Sequence, residues 1–119
     1  MQDFKELKVW QQSHSVTLET YNISAGFPRE ELYGLTSQVR RAACSIPTNI
    51  AEGCGRQSDD DFARFIGIAI GSASELEYLF LLSRDLNYLN SAKHEKVQEK
   101  LKTVKRMLIS LYKTLKQKS

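Results

Sequence analysis

Apolar positions recur along this chain at steps of three and four, the spacing of one helix face, and no strand pattern competes with them. Four segments follow from that spacing. The first runs from about Asp3 to Ser24, with Phe4, Leu7, Trp10, His14, Leu18 and Tyr21 as its expected core stripe. Val9, Val16 and Ile23 form a second, flanking stripe. Gly26 ends the segment, and Pro28 begins a turn that reaches Tyr33.

The second helix carries Leu35, Val39, Ala42, Ile46 and Ile50 on its apolar face. Gln38, Arg41, Ser45, Asn49 and Glu52 form a polar stripe beside it, and Gly53 and Gly55 are expected to stop the helix. Pro47 lies inside this helix. It has no amide hydrogen for the carbonyl of Ala43 and is expected to bend the helix there. An internal proline costs about 3 kcal/mol, so packing must offset it or a polar group must take the freed carbonyl. Ser45 and Asn49 are the candidates nearest in sequence.

The third helix opens at Ser58, with Asp61 three residues on and Asp59 and Asp60 suited to the positive N-terminal end. It is expected to reach Leu89. Phe62, Phe65, Ile66, Ala69, Ala73, Leu76 and Phe80 form its core stripe, and Ile68, Leu79, Leu82, Leu86 and Leu89 form another. Gly67, Gly71 and Ser74 line a third side with small residues. A glycine inside a helix costs about 1 kcal/mol relative to alanine, and close approach by another backbone is the usual compensation. A helix apolar on several sides lies centrally or in a subunit interface, which argues for a homo-oligomer. Asn90 and Ser91 cap the fourth helix, whose seam is Val97, Leu101, Val104, Leu108, Leu111 and Leu115. Long helices joined by short loops predict an all-α, antiparallel up-and-down four-helix bundle, one domain over residues 1–119.

Composition adds limits. Hydrophobic residues make up 41% and charged residues 26% of 119 residues, a composition that suits one globular core. There is no unbroken apolar run of about 18 residues and no apolar leader at the N-terminus, so the expectation is a cytoplasmic protein without a membrane partner. Cys44 and Cys54, ten residues apart on one helix, are separated by roughly 15 Å and should not pair. Cys54, near the helix end, reads as the more reactive of the two. Charge is uneven. Residues 91–119 hold nine bases against Glu95 and Glu99, a net of +7, whereas residues 1–90 hold eight bases and twelve acids. A basic fourth helix serves as a nucleic-acid surface, as a surface for an acidic partner, or as a solvated face.

Chemistry is scarce. His14 falls on an apolar stripe and reads as packed, and His94 stands in the first turn of the fourth helix, where exposure is expected. No Glu-x-x-His pair, phosphate loop or dinucleotide glycine pattern occurs, so no catalytic residue, metal or cofactor is assigned. Glu52 sits in the last turn of a helix, where the dipole opposes a carboxylate, so a base such as Arg56, Arg41 or one from a neighbouring subunit should stand beside it. Arg40 and Arg41 point about 100° apart, and only one shares the polar stripe. Either suits a phosphate or a carboxylate across a subunit boundary.

The stretch LTSQVRRAACSIPTNIAEGCGR, followed by FARFIGIAIGSASELEYLFLLSRDLNYL, resembles the 23S rRNA intervening-sequence proteins. FKELKVWQQS and FPREELYGL fit as well, so the resemblance spans nearly the whole chain. It implies a four-helix bundle assembled as a homopentamer, with no established enzymatic activity. It also implies kinship with the accessory variability protein of diversity-generating retroelements, a basic pentamer that binds nucleic acid. Two functions are therefore expected. One is binding of RNA or DNA through Lys100, Lys105, Arg106 and Lys113, with Arg40 or Arg41. The other is a protein–protein adaptor. Pro47, Asn49, Glu52, Gly53, Arg56, Gly67 and Gly71 are the candidate turn and interface residues.

Overall fold

The structure, a computed structural model, describes residues 3–118. Met1, Gln2 and Ser119 lie outside the described residues, as does the side chain of Lys118, one of the nine bases counted above. Four helices, α1 (Lys8–Ser24), α2 (Leu35–Cys54), α3 (Asp59–Asp85) and α4 (Ser91–Lys118), form an all-α bundle measuring 45 × 23 × 20 Å. Each helix packs against two others, with α1 beside α2 and α4, and α3 beside α2 and α4. Val16, Val39, Ile46, Ile66, Leu76, Phe80, Leu101 and Leu108 meet on the axis with almost no exposure. A buried side chain of this size contributes about 1.5–3 kcal/mol.

The first helix differs from expectation twice. Asp3 caps a separate 3-10 turn at Phe4–Glu6, and the extended backbone of Leu7 then leads into α1 at Lys8. The buried face of α1 is Val9, Ser13, Val16, Thr17, Thr20 and Ser24, not the Trp10–His14–Leu18–Tyr21 stripe. Leu18 is 59% exposed. The inner hydroxyls are satisfied by their own helix: Ser13 donates to Trp10 O, Thr20 to Val16 O and Ser24 to Tyr21 O. A hydroxyl bonded this way exposes little polarity to the core, and small side chains let α1 approach closely. The expected stripe turns outward, where Trp10 stacks on His14 and meets Phe4 edge to face.

The third helix also ends before the expected Leu89. Asn87 adopts φ 66°, the left-handed region that asparagine tolerates. Its amide donates to Arg84 O and the Tyr88 amide to Ser83 O, the paired bonds that close a helix C-terminus. Leu89 then enters the core from the connection. At the start of α3 the Ser58 side chain accepts from the Asp61 amide, as its spacing predicts. By length and composition α3 is apolar enough to cross a membrane, but 39% of that stretch is buried inside the bundle. The side chain of Asn90 caps α4 by accepting from the Lys93 amide. His94 is buried, at 8% exposure, rather than exposed in that first turn.

Candidate functional surfaces

The second helix runs unbroken through Pro47, which is buried. The carbonyl that Pro47 frees is met from another helix. Thr17 Oγ1 on α1 lies 3.0 Å from Ala43 O. Neither Ser45 nor Asn49 takes this role. The Asn49 amide donates instead to Ser45 O and Ser45 Oγ, and Ser72 Oγ on α3 donates to the same hydroxyl at 2.8 Å. Asn49 therefore ties α2 to α3 through Ser45.

Gly53 lies within α2 and does not stop it. A Cβ there would meet Phe62 Cδ1 at 2.6 Å and Phe65 Cβ at 3.2 Å, so glycine permits α2 to close on the start of α3. Gly55 forms the C-terminal cap with ordinary right-handed backbone. Glu52 has the base expected of it, but at 3.9 Å and with both side chains substantially exposed. Arg56 is held more broadly. Its guanidinium reaches Asp61 at 3.8 Å and stacks on Phe65, whose ring Arg64 also contacts. Gly67 and Gly71 have no close backbone neighbour within the chain: Tyr112 comes to 3.7 Å of a Cβ at Gly67, and nothing comes within 4 Å at Gly71.

The predicted cations divide into two sets. Lys100 donates to Glu19 on α1 at 2.7 Å, and Lys105 donates to Glu77 on α3 at 3.0 Å. Both are tied to neighbouring helices. Arg106 and Lys113 are exposed on the outer face of α4, and among the described residues Arg106 bonds only the Thr103 hydroxyl, at 3.4 Å. Lys96 is exposed about a quarter-turn round the helix from them, whereas Glu95 and Glu99 share their outer face. From Lys96 to Lys113 the helix advances about 25 Å. Arg40 folds back onto α1, donating to Ser24 Oγ at 2.8 Å and covering the Tyr21 ring at 4.7 Å. Arg41, on the polar stripe, is exposed.

Three features escaped the sequence reading. Glu31 caps α2, one oxygen accepting from the Leu35 amide at 3.0 Å and the other from Tyr88 Oη at 3.1 Å. That hydrogen bond, more than burial, raises the Tyr88 pKa. Its signal was an acid four residues ahead of a helix start, indistinguishable in sequence from a solvated pair with Glu30. The cysteines exchange roles. Cys54 is buried, and burial, then the nearby charge of Asp3, raises its thiol pKa. Cys44 is exposed, 3.9 Å from Tyr21 Oη. Finally, apolar side chains lie uncovered along two outer faces: Leu18 and Tyr21 on α1, and Ile68, Tyr78 and Leu81 on α3.

A cavity of about 830 Å³ at the α2–α3 turn is lined by Arg56, Arg64, Tyr112 and Lys116 together with Asp60 and Asp61, which pair with those bases. Among the described residues no cluster of three or more His, Cys, Asp or Glu side chains is arranged to hold a metal ion.

The family model for the 23S rRNA-intervening sequence protein matches residues 5–110. A crystal structure of a protein of unknown function from the S23 ribosomal protein family of Bacteroides thetaiotaomicron is 26% identical, with a TM-score of 0.82. The alignment covers 88% of this chain and 98% of that one. No curated protein matches. The matched span takes in all of α1, α2 and α3 and most of α4, and the chain belongs to the 23S rRNA-intervening sequence protein family.

Proposed function

We propose that this chain is a non-catalytic subunit that assembles with copies of itself and binds nucleic acid through the outer face of α4. The observation that carries the nucleic-acid reading is that Lys96, Arg106 and Lys113 on α4 are exposed and without an acid partner among the described residues. Exposed bases of this kind neutralise phosphates along a backbone, and no aromatic is interleaved with them to read bases. Arg41 adds an exposed guanidinium on α2, while Lys100 and Lys105 reach a phosphate only by leaving Glu19 and Glu77.

Self-assembly is supported by the outer faces. Leu18 and Tyr21 on α1 are bulky and exposed, whereas α3 presents Gly67, Gly71 and Ser74 with open space above Gly71. A knob on one face and a hollow on another suit a head-to-tail contact, the kind that builds a ring when the rotation between copies closes. Five copies is the number that the resemblance implies. Short connections and side-by-side packing of successive helices support an antiparallel, up-and-down order.

The test is a titration with single-stranded RNA at several salt concentrations. The slope of log affinity against log salt should be about −0.7 for each phosphate neutralised. Arg106→Glu with Lys113→Glu should weaken binding and flatten the slope, while Lys100→Gln and Lys105→Gln change both less. Unchanged affinity in the first pair would remove the nucleic-acid reading and leave the adaptor as the function to pursue.

A further inference from the structure

The seam between the start of α1 and the last third of α4 opens into a trough of about 500 Å³, lined by Leu7, Lys8, Val9, Arg106, Met107, Ser110, Leu111 and Thr114. Its floor is Leu7, Val9, Met107 and Leu111, and its rims carry the exposed bases Lys8 and Arg106 with no acid in the lining. We infer that this trough is a docking site for an acidic amphipathic helix of a partner protein.

The inference goes beyond nucleic-acid binding: it shares Arg106 with that reading, but its apolar floor lies on the α1–α4 seam. From Met107 to Thr114 the trough runs about 10 Å along α4, two helical turns, a length that seats apolar anchors spaced at i, i+3, i+4 and i+7. A flexible thioether in the floor adapts to such anchors. Charge fixes the sign of the partner: with bases on both rims and no acid, carboxylates flanking the anchors are favoured and a basic helix is repelled. A phosphate backbone would gain from the rims but nothing from four apolar side chains. The chain's own leading turn does not fill the trough, because residues 4–6 pack against α2 and Asp3 lies near Cys54. Nor does the proposed self-contact, which uses the outer faces of α1 and α3 and leaves the α1–α4 seam open.

The chain holds two methionines, Met1 and Met107, so a methyl-labelled methionine spectrum isolates one reporter in the floor. The probe is a short helical peptide with leucines at the anchor positions and glutamates beside them. A saturable shift of the Met107 methyl is expected. Lys8→Glu with Arg106→Glu should weaken it about tenfold or more, as loss of complementary charge does. Ser110→Trp, at an exposed position in the lining, should abolish the peptide-dependent shift while helicity is retained. The inference is overturned by an unmoved Met107, by an equal response to a peptide with lysines in place of glutamates, or by a stronger response to single-stranded RNA. A Met107 signal that changes with protein concentration alone also overturns it, since a second copy would then be the occupant. An unmoved Met107 in a protein whose RNA affinity still depends on Lys113 would sink this inference alone.

Discussion

The hydroxyl of Thr17 on α1 stands 3.0 Å from the carbonyl oxygen of Ala43 on α2, the carbonyl that Pro47 leaves without an amide. The same hydroxyl is 3.0 Å from Ser13 O, which already accepts its own helix amide, so the proton is better placed on Ala43. A proline inside a buried helix thus becomes a cross-link between two helices. Thr17→Val keeps the shape and removes the donor, leaving a buried carbonyl unsatisfied. It should cost about 1–3 kcal/mol in urea unfolding. Thr17→Ser should retain most of the stability, and equal loss in both variants would mean that packing of the methyl, not the bond, matters.

Gly53 and Gly71 should respond to alanine with opposite signs. At Gly53 the new Cβ lies 2.6 Å from a ring carbon of Phe62, and overpacking of this kind costs about 1–3 kcal/mol. At Gly71 nothing opposes it, so the gain in helix propensity, about 1 kcal/mol, should appear in the folded subunit. A larger side chain at Gly71 should disturb self-association, read by light scattering. Destabilisation of the subunit itself by Gly71→Ala would refute the open-face assignment.

Cys44 should react with a disulfide reagent well before Cys54 under native conditions, because only Cys44 is exposed. Burial raises the Cys54 pKa above its reference of 9.0. A group whose folded pKa is raised contributes stability that is complete below the unfolded pKa and is lost as pH rises through the folded value. Thermal stability should therefore fall more steeply above about pH 9 in the parent than in Cys54→Ala. Parallel curves would show that the thiol does not contribute.

Glu31 joins the start of α2 to the α3–α4 connection through Leu35 and Tyr88. Glu31→Ala removes a helix cap and should cost about 0.5–2 kcal/mol. Tyr88→Phe should cost less, and the double variant should fall short of the sum, since both act on one carboxylate. Strict additivity in unfolding experiments would show the two contacts to be independent.

Glu52→Lys should leave the isolated subunit nearly as stable as the parent. Its pair with Arg56 is long and exposed, a kind of contact worth about 0–1 kcal/mol. The expected damage is to self-assembly, where a reversed charge meets a neighbour. An unchanged oligomer together with unchanged thermal stability would remove Glu52 from the interface.

What could be read in sequence depended on how strongly one local signal outweighed its rivals. In α2, in α4 and along the Phe65–Phe80 stripe of α3 the expected apolar positions matched the buried faces, because large aliphatic side chains there have no other way to leave water, whereas the second α3 stripe leaves Ile68 and Leu86 exposed. Ser58 and Asn90 were legible as caps for a similar reason: a helix start leaves amides that a short polar side chain satisfies locally. In α1 two stripes competed, and hydrophobicity favoured the wrong one. Thr20 is buried with its hydroxyl bonded inside its own helix, and Thr17 with its hydroxyl on Ala43 O, a pairing that exists only once the helices are packed.

The sequence by itself determined the four helices, most of their limits and the resemblance of the chain to its family, since each follows from residues close together along the chain. Only the tertiary structure decided which face of α1 turns inward, which carbonyl Thr17 meets, why Gly53 has no side chain, and which lysines of α4 are held by Glu19 and Glu77. Those outcomes depend on distances between residues 26, 28 or 81 positions apart, and local pattern carries no information about them. The trough between α1 and α4 is of the same kind. Leu7 and Met107 form one floor only because the bundle brings the two ends of the chain side by side.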